Sequence, residues 1–217
     1  MSTPRSGKGP GRPRKMPADQ QRELVLRAAT EVFAEAGFQA ARIEQIARRA
    51  GVTRQSVYEL FGNKTALFVA AVTRAENHAF DALSQEVLEP VDEELPAVAR
   101  RGYARLFAYV ADNPEVYDLL HVAERSGNPA LSRLCERLAP IYAEASRRRF
   151  QAEGVSSGRA DNALIALYFA MTEAMVLVSR RPDSPDPQAL IELLTEFTIG
   201  GISRILRRKP EVIERLR

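Results

Sequence analysis

A chain of 217 residues with 45% hydrophobic and 27% charged residues has the composition of a globular protein that forms one or two small domains. The single cysteine, Cys135, excludes an internal disulfide and a paired-cysteine metal site, and we expect a reducing, cytoplasmic location. The net charge of +3 is divided unevenly, since residues 1–65 carry 12 basic and 6 acidic side chains and the remainder carries 19 and 22. This asymmetry predicts that the N-terminal part binds a polyanion.

The chain begins with a segment, residues 1–18, that is rich in glycine, proline and serine and has five basic residues and no acid. We predict a disordered basic arm, because this composition cannot bury a core. Arg12 and Arg14 stand in a Gly-Arg-Pro-Arg stretch that resembles an AT-hook, which lays arginine into a narrow minor groove of DNA. The alternative is a flexible tail that raises affinity, in a salt-dependent way, without reading sequence.

Three helices are predicted next, in a domain that spans residues 19–65. The first covers residues 19–36, ends at Gly37 and carries an apolar stripe of helical period, made of Val25, Ala28, Ala29, Val32, Phe33 and Ala36. The second buries Ile43, Ile46, Ala47 and Ala50 and stops at Gly51, because glycine accepts the left-handed conformation of a helix end. Thr53 is the predicted N-cap of the third, which buries Val57, Leu60 and Phe61. This is a helix-turn-helix pattern.

Several short motifs in this region resemble one known family when they are taken together. They are the end of the first helix, Glu31 to Phe38, then Gly51-Val52-Thr53, the Val57-Tyr58 pair, Phe61-Gly62-Asn63-Lys64 and Ala66-Leu67-Phe68. The combination is similar to the DNA-binding domain of the TetR (tetracycline-repressor) family. The resemblance implies an all-α fold, in which this domain precedes a larger helical domain, residues 66–217, for effector binding and dimerisation. The family usually has Thr or Ser at the start of the second helix, where this chain has Ala40-Ala41-Arg42.

The third helix carries the side chains predicted to contact DNA. Arg54 and Gln55 lie in its first turn, which meets base edges in such domains, and these residue types read guanine and adenine. The resemblance implies phosphate contacts for Tyr58 and Lys64, and Lys64 also begins a helix whose free N–H groups favour a phosphate. We expect Arg42 to replace the missing hydroxyl contact by its charge, and Glu59 to be mildly unfavourable beside phosphates. The full predicted set is Arg42, Thr53, Arg54, Gln55, Ser56, Tyr58 and Lys64, with Arg12 and Arg14 of the arm.

The rest of the chain is predicted to be helical, because no alternating strand pattern occurs. Asn63 caps a helix from Lys64 to about Leu88, and further helices are predicted over residues 93–112, 114–125, 129–153, 159–180 and 187–207. Pro114 and Pro129 are predicted to be the first residues of their helices. The most apolar stretch, Ala163 to Val178, is interrupted by Thr172 and Glu173, and we interpret it as a buried helix that is too short to span a membrane.

The last two long helices are predicted to form a dimer interface. Residues 163–171 are apolar on every side, and in a small chain a second subunit is the natural cover. Gly200 and Gly201 each cost about 1 kcal/mol within a helix, which close approach of another helix would offset. A kink or an internal packing notch is the alternative. The resemblance implies the same interface, for which the predicted residues are Leu164, Tyr168, Phe197, Gly200, Gly201 and Ile205.

The resemblance also implies a small-molecule effector site in the helical domain. The candidate lining residues are Tyr103, Phe107, Tyr117, His121, Tyr142, Tyr168, Met171 and Met175, each of which is alternatively an ordinary core residue. Glu173 is an acid inside an apolar helix, for which three roles are open. It pairs with an arginine at the subunit interface, reaches solvent, or binds a polar group of the effector.

No catalytic motif occurs, and neither His78 nor His121 has a local set of metal ligands, so we expect no enzyme, cofactor or metal site. The sequence predicts a homodimeric transcriptional regulator, a repressor that binds a near-palindromic operator and leaves it when an effector binds. The alternative is a helical ligand-binding or interaction module that binds DNA without sequence preference.

Overall fold

The computed structural model describes residues 16–85, 94–152 and 160–215. Within these ranges the regular structure is helical throughout, which confirms the predicted all-α fold. The helices are α1 (Ala18–Ala40), α2 (Ile43–Ala50), α3 (Arg54–Phe61), α4 (Lys64–Ser84), α5 (Leu95–Asp112), α6 (Pro114–Arg125), α7 (Ala130–Ala152), α8 (Ala160–Ser179), α9 (Pro187–Arg208) and α10 (Pro210–Arg215). The basic arm with Arg12 and Arg14, the end of the fourth predicted helix at Leu88, and residues 153–159 lie outside the described residues.

The helix-turn-helix forms where the sequence predicts it. Gly37 has φ 72° and ψ 169°, so it breaks the helical path inside α1 at the predicted end of the first helix. Gly51 takes the left-handed conformation, φ 69° and ψ 29°, and turns the chain from α2 towards α3. Helices α2 and α3 have only eight residues each, and helices of this length are marginal by themselves. They are therefore stabilised by the burial of Ile43, Ile46 and Val57 in the core shared with α1 and α4.

One hydrophobic core joins the helix-turn-helix to the helices that follow it. It runs through α1 to α4 and continues into α6 and α7, where Val116, Leu119 and Leu134 are buried. A second core joins α5, α6, α8 and α9 around Tyr103 and Val176. Packing is therefore continuous across the predicted domain boundary at residue 65, and that boundary stays a prediction. Helix α6 packs against α1, α4 and α7.

Two details differ from the predicted elements. Helix α7 begins at Ala130, and the carbonyl of Pro129 accepts from Arg133 N at 3.0 Å, so Pro129 precedes the helix and the prediction of a first helical residue is wrong. Pro114 is the first residue of α6, as predicted. The short α10 after Lys209 was not predicted, because six residues are too few to show a helical period.

Candidate DNA-binding surface and ligand cavity

Helix α3 exposes a row of polar side chains while it buries Val57 and Phe61. Its N-terminus is capped by Thr53, whose hydroxyl accepts from Ser56 N at 3.1 Å and also contacts Ser56 Oγ at 2.9 Å. The cap confirms the predicted start of the helix. The hydroxyl groups of Thr53 and Ser56 are therefore both used in capping the N-terminus of α3.

Arg54 lies exposed at the start of α3 and has partners on both sides. Its Nη1 lies 2.9 Å from Glu44 Oε1 of α2, and its Nη2 donates to Tyr58 Oη at 3.4 Å. Hydrogen bonding to Tyr58, followed by the charge of Glu44, raises the pKa of Arg54. The Arg54 guanidinium must leave Glu44 before both of its edges are available to a guanine. Glu44 is a part of this surface that the sequence analysis missed.

Gln55 and Glu59 form a second exposed pair one turn apart on α3. Gln55 Nε2 donates to Glu59 Oε1 at 2.8 Å. This bond orients the amide and leaves its oxygen and the second N–H of Nε2 available to a base. Glu59 is thus tied to a predicted base-reading side chain rather than standing alone before the phosphates.

The predicted phosphate contact of Lys64 requires an ammonium group that points freely to solvent, and in the structure this group has partners within the chain. Its ammonium donates to the carbonyl of Gln39 at 3.0 Å and lies 4.9 Å from the centroid of the Phe38 ring. Lys64 therefore ties the N-terminus of α4 to the segment that enters α2. Asn63 caps α4 as predicted, accepting from Ala66 N at 2.8 Å.

The entry to α2 is capped without the missing hydroxyl residue. Gln45 Oε1 accepts from Arg42 N at 3.0 Å, so a side chain inside the helix closes its end, while Arg42 itself is exposed. Nearby, Arg49 donates to both carboxylate oxygens of Glu35, at 2.7 and 3.0 Å. Arg49 is thus committed to α1, whereas the Arg42 side chain is exposed to solvent.

Changing Glu44 to Gln is expected to raise affinity for duplex DNA of arbitrary sequence about fivefold at low salt, because it removes a negative charge from the surface and releases Arg54. Fluorescence anisotropy against a non-operator duplex measures this. Glu136→Gln is the matched control, since Glu136 is an exposed acid of α7. Equal affinities for the two variants would contradict the role given to Glu44.

The helical domain contains a cavity of about 170 Å³ between α4, α5, α7, α8 and α9. Apolar side chains form most of its wall, among them Leu83, Val98, Ile165 and Ile199. Tyr103, Tyr142 and Tyr168 line it as well, and so do Arg101 and Arg105. The two arginines and Thr198 are lining residues that the sequence analysis missed, because polar residues at helical spacing are usually exposed.

Only three of the eight predicted pocket residues face this cavity. Tyr103, Tyr142 and Tyr168 line it, whereas Phe107 is buried in the second core and Met171 and Met175 pack against that core. Tyr117 and His121 lie elsewhere, against Glu173. Phe107, Tyr117, Met171 and Met175, four of these eight residues, belong to the second core or pack against it, and sequence periodicity cannot distinguish such residues from a cavity wall.

Glu173 forms a polar cluster with two side chains of α6. Its Oε1 accepts from Tyr117 Oη at 2.7 Å and lies 2.8 Å from His121 Nε2. Burial favours a higher pKa for Glu173, but the hydrogen bonds from His121 and Tyr117 and the charge of His121 outweigh it and lower the pKa. Glu173 therefore joins α8 to α6 within one chain, which none of the three predicted roles described.

The lowered pKa of Glu173 predicts a loss of stability in acid. A carboxyl with a folded-state pKa below its ordinary 4.5 stabilises the fold fully above pH 4.5, and this contribution disappears as pH falls through the lowered value. Glu173→Gln is expected to lower the free energy of unfolding by about 1 kcal/mol at neutral pH, because the side chain is partly exposed. The difference from the parent should vanish in acid. Urea unfolding at equal protein concentration measures it, and a pH-independent difference would contradict the assignment.

An apolar face remains open along α8 and α9. Leu167, Leu177, Leu193 and Phe197 are 54%, 46%, 56% and 66% exposed. Gly200 and Gly201 are also exposed, and a β-carbon at either position meets none of the described residues within 4 Å. Leu164 and Tyr168, which were predicted for the interface, line the cavity. Ile205 is half-buried.

The α8 segment Asn162–Ser179 satisfies the length and composition of a membrane-spanning helix, with a mean hydropathy of 1.6 over its 18 residues. Length alone therefore does not exclude a membrane span for this longer segment, and the interpretation of the stretch as a helix that protein covers stays a prediction. Only 17% of this segment is buried within the chain. Length and composition do not distinguish a membrane helix from a helix that other protein surfaces cover.

Comparisons with known proteins agree with this architecture. Residues 25–71 match the family of bacterial regulatory proteins, tetR family. The HTH-type transcriptional activator FasR of Mycolicibacterium smegmatis is 28% identical over 211 residues, which cover 91% of this chain and 90% of FasR. The HTH-type transcriptional repressor NicS of Pseudomonas putida is 31% identical over 103 residues, 48% of each chain. The transcriptional regulator FadR of Bacillus subtilis, solved in complex with stearoyl-CoA, has a similar fold, with a TM-score of 0.66 at 18% identity over 82% of this chain and 98% of FadR.

The matched residues 25–71 contain the exposed polar row of α3, and the similarity to FasR extends over the helical domain. The named relatives are regulators of transcription. The chain is a DNA-binding transcriptional regulator with a helix-turn-helix of the tetR family, and over most of its length it is similar to such regulators.

Proposed function

We propose that a homodimer of this chain binds a near-palindromic operator through its two α3 helices and is released when a small molecule enters the cavity. The observation that carries the proposal is the capped α3 with Arg54 and Gln55 exposed in its first turn. In a helix-turn-helix dimer such helices enter successive major grooves, with half-site centres about 34–36 Å apart. Because it binds DNA, we propose a cytoplasmic location for the protein.

The open apolar face of α8 and α9 supports the dimer. Its leucines and Phe197 are accompanied on α8 by exposed alanines, namely Ala163, Ala166, Ala170 and Ala174. Small residues and Gly200-Gly201 permit the close approach of two helices, and large exposed apolar faces mark interaction sites. Phe197, Gly200 and Gly201 remain in the proposed interface, with Leu167, Leu177 and Leu193 added.

The contacts around the cavity support a path from effector to DNA. Arg105 and Tyr142, which line the cavity, donate to the carbonyls of Ala82 and Leu83 at the C-terminal end of α4. The other end of α4 begins at Lys64, which contacts the entry to α2. A molecule that displaces these two side chains therefore acts on the helix that positions the helix-turn-helix. An altered separation of the two α3 helices prevents simultaneous binding of both half-sites.

Repression is the direction that we propose, although the relatives include both an activator, FasR, and a repressor, NicS. The stearoyl-CoA bound to FadR supports an organic effector for this fold. The proposed DNA contacts are Arg42, Arg54, Gln55 and Tyr58, with Lys64 positioning α2, and Arg12 and Arg14 of the basic arm remain proposed minor-groove contacts.

Electrophoretic mobility shift with the DNA upstream of the chain's own gene tests the proposal. Saturable binding to a near-palindromic segment, which competitor DNA of scrambled sequence does not displace, supports it. Equal binding to both sequences with a steep dependence on salt would favour the alternative of a module that binds DNA without reading it.

A further inference from the structure

Tyr168 presents an unusual hydroxyl to the cavity. Its ring lies between Tyr103 and Tyr142, with ring centroids 5.2 and 5.5 Å away. The Tyr103 hydroxyl pairs with Thr198 Oγ1 at 2.8 Å, and the Tyr142 hydroxyl donates to the carbonyl of Leu83 at 3.3 Å. Over the described ranges of the chain, the Tyr168 hydroxyl has no such partner.

This hydroxyl lies against the backbone of α5, and its position is closely defined. A β-carbon added to Gly102 would lie 3.6 Å from Tyr168 Oη, and both residues line the cavity. A tyrosine hydroxyl that opens into a mostly apolar cavity is placed to hydrogen-bond a ligand there, because tyrosine hydroxyls inside proteins usually have a partner. Burial raises the pKa of Tyr168, so the hydroxyl keeps its proton and acts as a donor. The partner it lacks is therefore an acceptor.

The rest of the wall restricts the molecule that supplies the acceptor. Among the described residues, the lining is mainly aliphatic and aromatic, and it includes Arg101 and Arg105 and no carboxylate. This described part of the wall favours a neutral or negatively charged group over a cation. The volume of about 170 Å³ is sufficient for a small organic body, since an apolar cavity of about 150 Å³ in another protein takes up benzene.

We propose that the cavity binds an apolar molecule with a carbonyl-type oxygen, neutral or negatively charged, and that Tyr168 donates its hydroxyl proton to that oxygen. This proposal rests on the effector role given to the cavity above and names the chemistry of the effector. Tyr168 is then the residue that distinguishes an oxygen-bearing ligand from a hydrocarbon or an amine of the same size.

Isothermal titration calorimetry of the full chain with 2-octanone, octanoate and octylamine tests this recognition. We expect 2-octanone or octanoate to bind and octylamine not to bind, and the comparison of the two binders identifies the neutral or the anionic class. Tyr168→Phe should weaken the bound oxygen ligand about fivefold, which corresponds to one lost hydrogen bond. It should leave the thermal midpoint unchanged or slightly higher, because the variant removes an unpaired polar atom.

Tyr109→Phe is the matched control, because the Tyr109 hydroxyl contacts His78 Nδ1 at 2.9 Å and Tyr109 does not line the cavity. Absence of binding by both oxygen ligands, octylamine binding as tightly as 2-octanone, or equal affinity in Tyr168→Phe and the parent would each overturn the proposal. A mobility shift at saturating ligand separates it from the proposed function. Tyr168-dependent binding that leaves DNA affinity unchanged supports the recognition and contradicts the effector role.

Discussion

Replacing Arg54 with alanine is expected to weaken operator binding about a hundredfold. Arg54 is exposed in the first turn of α3, where a bidentate contact to a guanine discriminates strongly between bases. In a dimer one substitution removes this contact from both half-sites, so the loss of binding free energy is about twice that of one contact. It also leaves the Glu44 carboxylate, now 2.9 Å from the Arg54 guanidinium, without its partner beside the DNA. Anisotropy titration of operator DNA measures the effect.

The specificity of this loss can be separated from its charge. Arg181→Ala removes the same charge from the exposed turn after α8, and it should change operator affinity less than twofold. For Arg54→Ala, affinity for operator should fall further than affinity for a scrambled duplex. A parallel fall on both duplexes would show that Arg54 contributes charge alone, and unchanged operator affinity would remove α3 from the proposed DNA surface.

Replacing Phe197 with glutamate is expected to raise the dissociation constant of the dimer at least a hundredfold. Phe197 is 66% exposed in the single chain and lies on the same face of α9 as Gly200, so the proposed interface would bury it. An unpaired carboxylate in an apolar interface costs several kcal/mol. Sedimentation equilibrium should show a species near 24.1 kDa, the mass of one chain. Operator affinity should fall when the dimer dissociates, because one helix-turn-helix contacts only one half-site.

Val69→Glu is the control for this substitution. Val69 is an apolar side chain of α4 that is 48% exposed, outside the face formed by α8 and α9. It should leave the mass in solution at that of the dimer. A Phe197→Glu variant that remains dimeric would place the interface elsewhere, and a parent chain that sediments as 24.1 kDa at micromolar concentration would contradict the dimer itself.

The helix-turn-helix could be predicted closely because its signals are local. Gly51 takes the left-handed conformation that was predicted for it, Gly37 interrupts the first helix where its end was predicted, and Thr53 and Asn63 cap the helices that follow them. The capping of α2 by Gln45 was missed, since glutamine at that position has no distinctive pattern without a hydroxyl residue before it. Backbone conformation and capping depend on neighbours within a few residues, which the sequence displays directly.

The cavity and the interface were predicted less well. Helical periodicity identifies an apolar face, but it does not say whether that face lines a cavity, packs in the core or meets a second subunit. Tyr168 and Leu167 are adjacent in α8, yet Tyr168 lines the cavity and Leu167 is exposed. Glu173 likewise had no assignable partner until α6 brought Tyr117 and His121 to it, more than fifty residues away in the chain.

The sequence by itself therefore determined the helical fold, the position of the helix-turn-helix and the basic character of the DNA-binding end. Those properties follow from helical period, turn residues and charge, which act over short distances along the chain. Only the tertiary structure decided which aromatic residues enclose the cavity, which face of α8 stays open and where Arg54 and Glu173 find their partners. These depend on the rotation of each helix about its own axis and on its packing against helices that are distant in sequence.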